Sequence, residues 1–155
     1  MPSVTVGKKI PAFSTAATGG NIITAKTLAG RAFVLYFYPR DDTPGCTMEG
    51  QAFRDQHARF EERKVDVFGV SRDTLASHEK FKAKFDFPFE LIADPDEKLC
   101  ALFDVIKAKN MYGKKVRGIE RSTFLFDATG TLRKEWRKVK VDGHVREVLA
   151  AAEEL

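Results

Sequence analysis

The sequence predicts an α/β protein, one domain over residues 1–155. Three strand-length apolar runs, Arg31–Tyr38, Val65–Ser71 and Ser122–Asp127, carry much of that prediction. Segments of helical period follow the first two, and no repeat, linker or low-complexity stretch interrupts the order. With 43% apolar residues and 13 phenylalanines, the chain can fill a bulky aromatic core.

Taken in order, Phe13–Thr18 and Asn21–Thr24 flank Gly19-Gly20 and read as a hairpin. Thr27–Ala29 reads as a short turn ending at Gly30. Arg31–Tyr38 is apolar enough to need cover on both faces, as a central strand does. From Cys46 to about Arg63, Ala52, Phe53 and Phe60 recur at helical spacing. Val65–Ser71 is a second buried strand. Thr74–Phe85 is a helix with Leu75, Phe81 and Phe85 as expected core contacts, and Glu90–Ala93 is a short strand after Pro88. Asp94-Pro95-Asp96 reads as a turn and helix start, with Leu99, Leu102, Phe103 and Ile106 as an apolar stripe of that helix. Met111–Ile119 reads as a basic, Gly-punctuated connection. Ser122–Asp127 and Thr131–Trp136 make a hairpin about Gly130, and Asp142–Leu155 a final helix with Val145, Val148 and Leu149 facing in.

Composition excludes several function classes. Met1–Phe13 carries Lys8 and Lys9 without an apolar stretch behind them, so no secretory signal is expected. No run approaches the ~18 apolar residues of a spanning helix, so no membrane role is expected. Two cysteines form no disulfide framework, which fits a cytoplasmic location. With three scattered histidines they show no zinc-ligand spacing, and no Gly-rich loop offers a phosphate site, so neither metal nor cofactor is expected. Net charge is +4, but the basic residues are interspersed with 22 acids. The densest cluster, Lys107, Lys109, Lys114, Lys115 and Arg117, reads as a solvated face rather than a nucleic-acid site.

The chemistry concentrates at Pro39-Arg40-Asp41-Asp42-Thr43-Pro44-Gly45-Cys46. A buried strand stops there and hands a cysteine to the first turn of a helix. Thr43 suits the N-cap and Pro44 the first helical position. Cys46 then lies among free backbone N–H groups at the positive end of the helix dipole, which favours a thiolate. A free cysteine is most often a small buried hydrophobe, yet this polar turn does not suit that role.

The pattern Pro39-x-x-x-Thr43-x-x-Cys46 resembles the active-site signature of the peroxiredoxins, thiol enzymes that reduce hydroperoxides. Tyr36-Phe37-Tyr38-Pro39, Thr43-Pro44-Gly45-Cys46-Thr47 and Gly118-Ile119-Glu120-Arg121-Ser122-Thr123-Phe124 resemble the bacterioferritin comigratory protein (PrxQ) subfamily, from about Gly7 to Leu149. The resemblance implies a thioredoxin-like fold, a mixed central sheet flanked by helices with an N-terminal β-hairpin extension. It implies a peroxidatic Cys46 assisted by Thr43, by Pro39 as a shield from water, and by Arg121 hydrogen-bonding thiolate and peroxide. Glu49 is either the group that orients an arginine or an ordinary first-turn acid.

Full ionisation of a cysteine of ordinary pKa gains only ~30-fold at neutral pH, so fast peroxide reduction must rest mainly on transition-state stabilisation. Asp41, Asp42 and Glu49 oppose the thiolate if their charges approach Cys46. The sulfenic acid left on Cys46 must be rescued by another thiol. Many relatives carry that second cysteine five residues on, where this chain has Gln51, or in the next helix, where Phe81-Lys82-Ala83-Lys84 has none. Cys100 is the remaining thiol and reads as packed core, with resolution of Cys46 as the alternative.

The expectation is a one-cysteine cycle on hydrogen peroxide and organic hydroperoxides, regenerated by thioredoxin, glutaredoxin or glutathione. The alternative is a redox-inactive or chaperone-like thioredoxin-fold protein. Relatives are often monomers, so a monomer is expected, with a weak dimer as the other possibility. Trp136 reads as a packing residue, and His57, His78 and His144 as structural or solvent-facing.

Overall fold

A computed structural model describes residues 4–155. Its centre is β3 (Ala32–Phe37), buried at all six positions. On one side β3 pairs in parallel with β4 (Val65–Ser71), and β4 in parallel with β5 (Glu90–Ala93). On the other it pairs antiparallel with β8 (Ser122–Phe126), itself hairpinned to β9 (Leu132–Trp136). The hairpin of β1 (Ser14–Ala17) and β2 (Asn21–Thr24), joined by a 3-10 turn at Thr18–Gly20, extends the β5 edge. The order β2-β1-β5-β4-β3-β8-β9 is a mixed seven-stranded sheet, thioredoxin-like with an N-terminal extension.

Alternation along the strands divides the core in two. Val34 and Tyr36 of β3 and Leu125 of β8 face the helices α2 (Pro44–Glu62), α3 (Leu75–Phe85) and α5 (His144–Glu153), meeting Phe53, Phe60, Phe81 and Val148. Phe33, Leu35, Phe37, Phe124 and Phe126 point the other way, toward α1 (Ala25–Leu28) and α4 (Lys98–Leu102). Cys46 belongs to the first layer and Cys100 to the second, so the sheet stands between them.

Four expectations are corrected. The turn at Thr27–Ala29 is the end of α1, which starts at Ala25 behind a Thr24/Thr27 capping box. Leu75 is not core: as the first residue of α3 it sits at the surface, 37% exposed. The stripe Leu99–Ile106 is not one helix, because α4 stops at Leu102 and Asp104 takes φ 51°. Finally, the basic connection is half of a second sheet. Strand β6 (Ile106–Met111) pairs antiparallel with β7 (Lys114–Ile119) through a turn at Tyr112 (φ 53°) and Gly113 (φ 77°). Two consecutive positive φ values are what a tight two-residue hairpin demands.

Candidate active site

Cys46 is the third residue of α2. Strand β3 carries the chain down to buried Tyr38, exposed Pro39 and Arg40 reverse it, and Thr43 begins the helix with extended backbone. Pro44 takes the first helical position as expected. Thr43 does not cap with its side chain; its hydroxyl donates to the Arg40 carbonyl at 2.9 Å. The hydroxyl proton is therefore already engaged, and the oxygen keeps lone pairs to accept.

Arg121 comes from the other end of the chain. Glu120 N–H donates to the Val105 carbonyl at 2.7 Å and Val139 N–H to the Arg121 carbonyl at 3.0 Å, pinning the lead-in to β8 on both sides. Arg121 Nη2 then lies 3.4 Å from Cys46 Sγ, and Nη1 donates to Glu49 Oε1 at 2.6 Å. Gly45 eases the approach: a Cβ there would stand 3.2 Å from Nη2, tighter than an ordinary contact. Glu49, one turn after Cys46, is completely buried. Burial pushes its carboxyl up to about 7, against the pull of the Arg121 charge and hydrogen bond. Burial alone would lower Arg121, but the charges of Glu49 and Cys46 outweigh it and hold the guanidinium up. Glu49 Oε2 and the Tyr36 hydroxyl are both buried without a partner among the described residues. Burial, then the charges of Glu49 and Cys46, keeps Tyr36 protonated.

Behind the turn lies a polar network that the sequence did not reveal. Asp41 accepts from the Tyr38 hydroxyl at 2.6 Å and the Ser77 hydroxyl at 2.7 Å, and faces His78 Nδ1 at 2.7 Å. Its backbone N–H donates to Asp73 Oδ2 at 2.9 Å, an oxygen that also accepts from Ser71. His78 is fully buried, with Nε2 2.9 Å from the Ile92 carbonyl. It is buried rather than solvent-facing. The spacing Ser71-x-Asp73 just ahead of a helix carrying Ser77-His78 was the one available signal. His144 is also buried, beside Thr123 at 2.8 Å, and burial and the Arg121 charge lower it to about 4. Trp136 packs, its ring at 84° to that of His144. His57, on α2, lies against Phe89 and 3.9 Å from Glu61.

Cys100 is the third residue of α4, and its surroundings differ. Asp94 accepts from the backbone N–H groups of Leu99 at 3.0 Å and Cys100 at 2.7 Å. Burial first, then the Asp94 hydrogen bond and charge, push its thiol far up. The site thus brings together Cys46, Glu49 and Arg121, with Thr43 and Pro39 on the same turn, and leaves Cys100 across the sheet. No helix is long and apolar enough to cross a membrane among the described residues.

The AhpC/TSA family model matches residues 6–135. Peroxiredoxin Bcp of Xanthomonas campestris is 53% identical over 134 residues, covering 86% of this chain and 84% of its own. Peroxiredoxin Bcp of Bacillus subtilis is 45% identical over 153 residues, 99% of this chain and 98% of its own. Among solved structures, Xanthomonas campestris Peroxiredoxin Q superposes with a TM-score of 0.88 at 50% identity, covering 92% of this chain and 90% of that one. Another structure of the same organism's bacterioferritin comigratory protein, described for its alkyl peroxide reduction activity, matches at 49% identity and TM-score 0.88 over the same shares of the two chains. By sequence, fold and the signature around Cys46, this chain belongs to the AhpC/TSA family, among the peroxiredoxins of the Bcp (PrxQ) type.

Proposed function

We propose that this protein is a thiol peroxidase acting on hydrogen peroxide and organic hydroperoxides, with Cys46 as the peroxidatic residue. The observation that carries it is the 3.4 Å contact between Arg121 and a sulfur in the first turn of α2. The helix N-terminus and the guanidinium both favour a sulfur anion. That anion attacks the terminal oxygen of the peroxide: an S–O bond forms, the O–O bond breaks, and the other oxygen leaves as an alkoxide or hydroxide that takes up a proton. Backbone N–H groups and Arg121 offset the charge developing on the departing oxygen. Thr43, its own proton held by Arg40, accepts the hydrogen bond of the attacked hydroxyl. Pro39 shields the turn and has no N–H to compete for the anion. Glu49 holds the guanidinium by Nη1, leaving Nη2 to the sulfur.

The sulfenic acid is returned to thiol by an external thiol, of the thioredoxin, glutaredoxin or glutathione type. Three features support a one-cysteine cycle. Cys100 lies across the sheet, its sulfur is held protonated, and neither Gln51 nor α3 supplies a second cysteine. Peroxide followed by a sulfenic-acid trap and non-reducing mass analysis tests the scheme. The expected product is a monomer carrying one adduct at Cys46. Absence of any Cys46 oxidation would sink the peroxidase reading, whereas a Cys46–Cys100 disulfide would overturn only the one-cysteine cycle.

A further inference from the structure

Three carboxylates lie on or just after the cysteine turn, and each meets a cation or a proton donor from elsewhere in the fold. Glu49 pairs with Arg121 at 2.6 Å, Asp42 with Lys84 of α3 at 2.8 Å, and Asp41 with His78 of α3 at 2.7 Å. The exposed Asp42 pair is worth little. The Asp41 pair is buried on both sides, and its proton count follows from geometry. The Ile92 carbonyl can only accept, so His78 Nε2 bears a hydrogen. Nδ1 and Asp41 Oδ2 at 2.7 Å then require one more proton between them, on the imidazole or on the carboxyl. In either placement the pair as a whole is neutral. Without the histidine, the Asp41 carboxyl, buried five residues before Cys46, receives no proton from α3, and among the described residues its remaining side-chain donors are the Tyr38 and Ser77 hydroxyls. Asp41 and Cys46 border one core layer: Tyr38, which donates to Asp41, stacks on Tyr36 at 5.6 Å, and both tyrosines share a cluster with Cys46.

We propose that His78 is a positioning residue for the peroxide-reducing site: it supplies the proton that neutralises Asp41, so that the turn delivering Cys46 is held without a bare buried anion on it. The inference rests on the cysteine chemistry proposed above. It also accounts for why an acid can occupy that turn, where its charge opposes the reactive form of the sulfur.

The test measures two rates on the full-length reduced protein, oxidation of Cys46 by hydrogen peroxide and its alkylation by iodoacetamide. His78→Gln is expected to slow both about ten-fold and in parallel, since both need the thiolate. Adding Asp41→Asn, which removes the charge and keeps an amide that can donate or accept, is expected to return both to within about three-fold of wild type. A merely structural role predicts the opposite for alkylation, which would rise as buried Cys46 opens to solvent, with no rescue by Asp41→Asn. That result, or unchanged rates, overturns the proposal. Should His78→Gln fail to fold, Ser77→Ala removes a donor to the same oxygen; a fall of about three-fold, reversed by Asp41→Asn, is then expected. No reversal overturns the proposal. A wild-type protein inert to peroxide would defeat the peroxidase reading alone, because the alkylation arm still decides the role of His78.

Discussion

The two cysteines occupy the same position in two helices, third residue of α2 and third residue of α4, and both are buried. Their place in the helix is the same, although only Cys46 follows a polar turn in the sequence. What separates them is the charged group that tertiary structure brings up: a guanidinium 3.4 Å from Cys46, and a carboxylate for Cys100 that has already taken the helix N–H groups. A helix N-terminus helps a thiolate only while its N–H groups are unclaimed and the nearest side-chain charge is positive.

The sharpest way to break this contrast is to remove each sulfur. Cys46→Ser is expected to lower peroxide consumption at least ~1000-fold, and Cys100→Ser to leave it within about two-fold. Equal losses would mean that both thiols take part. Next, Arg121→Met removes the cation but keeps the bulk. Its rate constant for peroxide is expected to fall about 100-fold or more, with a smaller fall in Cys46 alkylation, since the role proposed for the guanidinium covers the transition state as well as the thiolate. Equal falls in the two rates would confine Arg121 to thiolate formation.

Glu49 supplies a pH-dependent test. Its carboxyl is held at about 7 in the folded protein against an ordinary 4.5, so folding takes up a proton between those values. The stability it contributes is complete below about 4.5 and is lost as pH rises through about 7, by at most about 3 kcal/mol. The Tm of wild type relative to Glu49→Gln should therefore fall between pH 5 and pH 8; a flat difference would mean that the carboxyl is not held up. The smallest effect belongs to Asp94→Asn. Loss of a charged acceptor at the start of α4 is expected to cost about 1–2 kcal/mol of stability. Cys100 should still alkylate far more slowly than Cys46, because burial ranks above the Asp94 charge among the causes of its inertness.

The parts legible in the sequence were those where one residue type answers one local demand. Pro44 at the helix start, the unbroken apolar run of β3 and the strand limits of β4 and β5 needed no tertiary knowledge. The β6–β7 hairpin was missed because its pattern carries no buried face: Lys114, Lys115, Val116 and Arg117 are exposed in succession. The reach of Arg121 to Cys46 was expected only through a family resemblance, since 75 residues separate the two and no periodicity links them. Asp41 was read as an adversary of the thiolate, which is right for its charge taken alone. Its partner on α3 could not be inferred, because a histidine on a helix announces neither its burial nor what it faces.

The layer division of the core has a kinetic consequence. In the proposed cycle the oxidised sulfur lies on one side of seven hydrogen-bonded strands and the only other thiol on the far side. No fluctuation short of opening the sheet lets the chain repair itself. The waiting time of the sulfenic acid is thus set by the supply of reductant in the surroundings, and a second peroxide arriving during that wait drives the sulfur to the irreversible sulfinic state. Survival of the enzyme under oxidant load then scales with the concentration of its reductant rather than with its own folding stability.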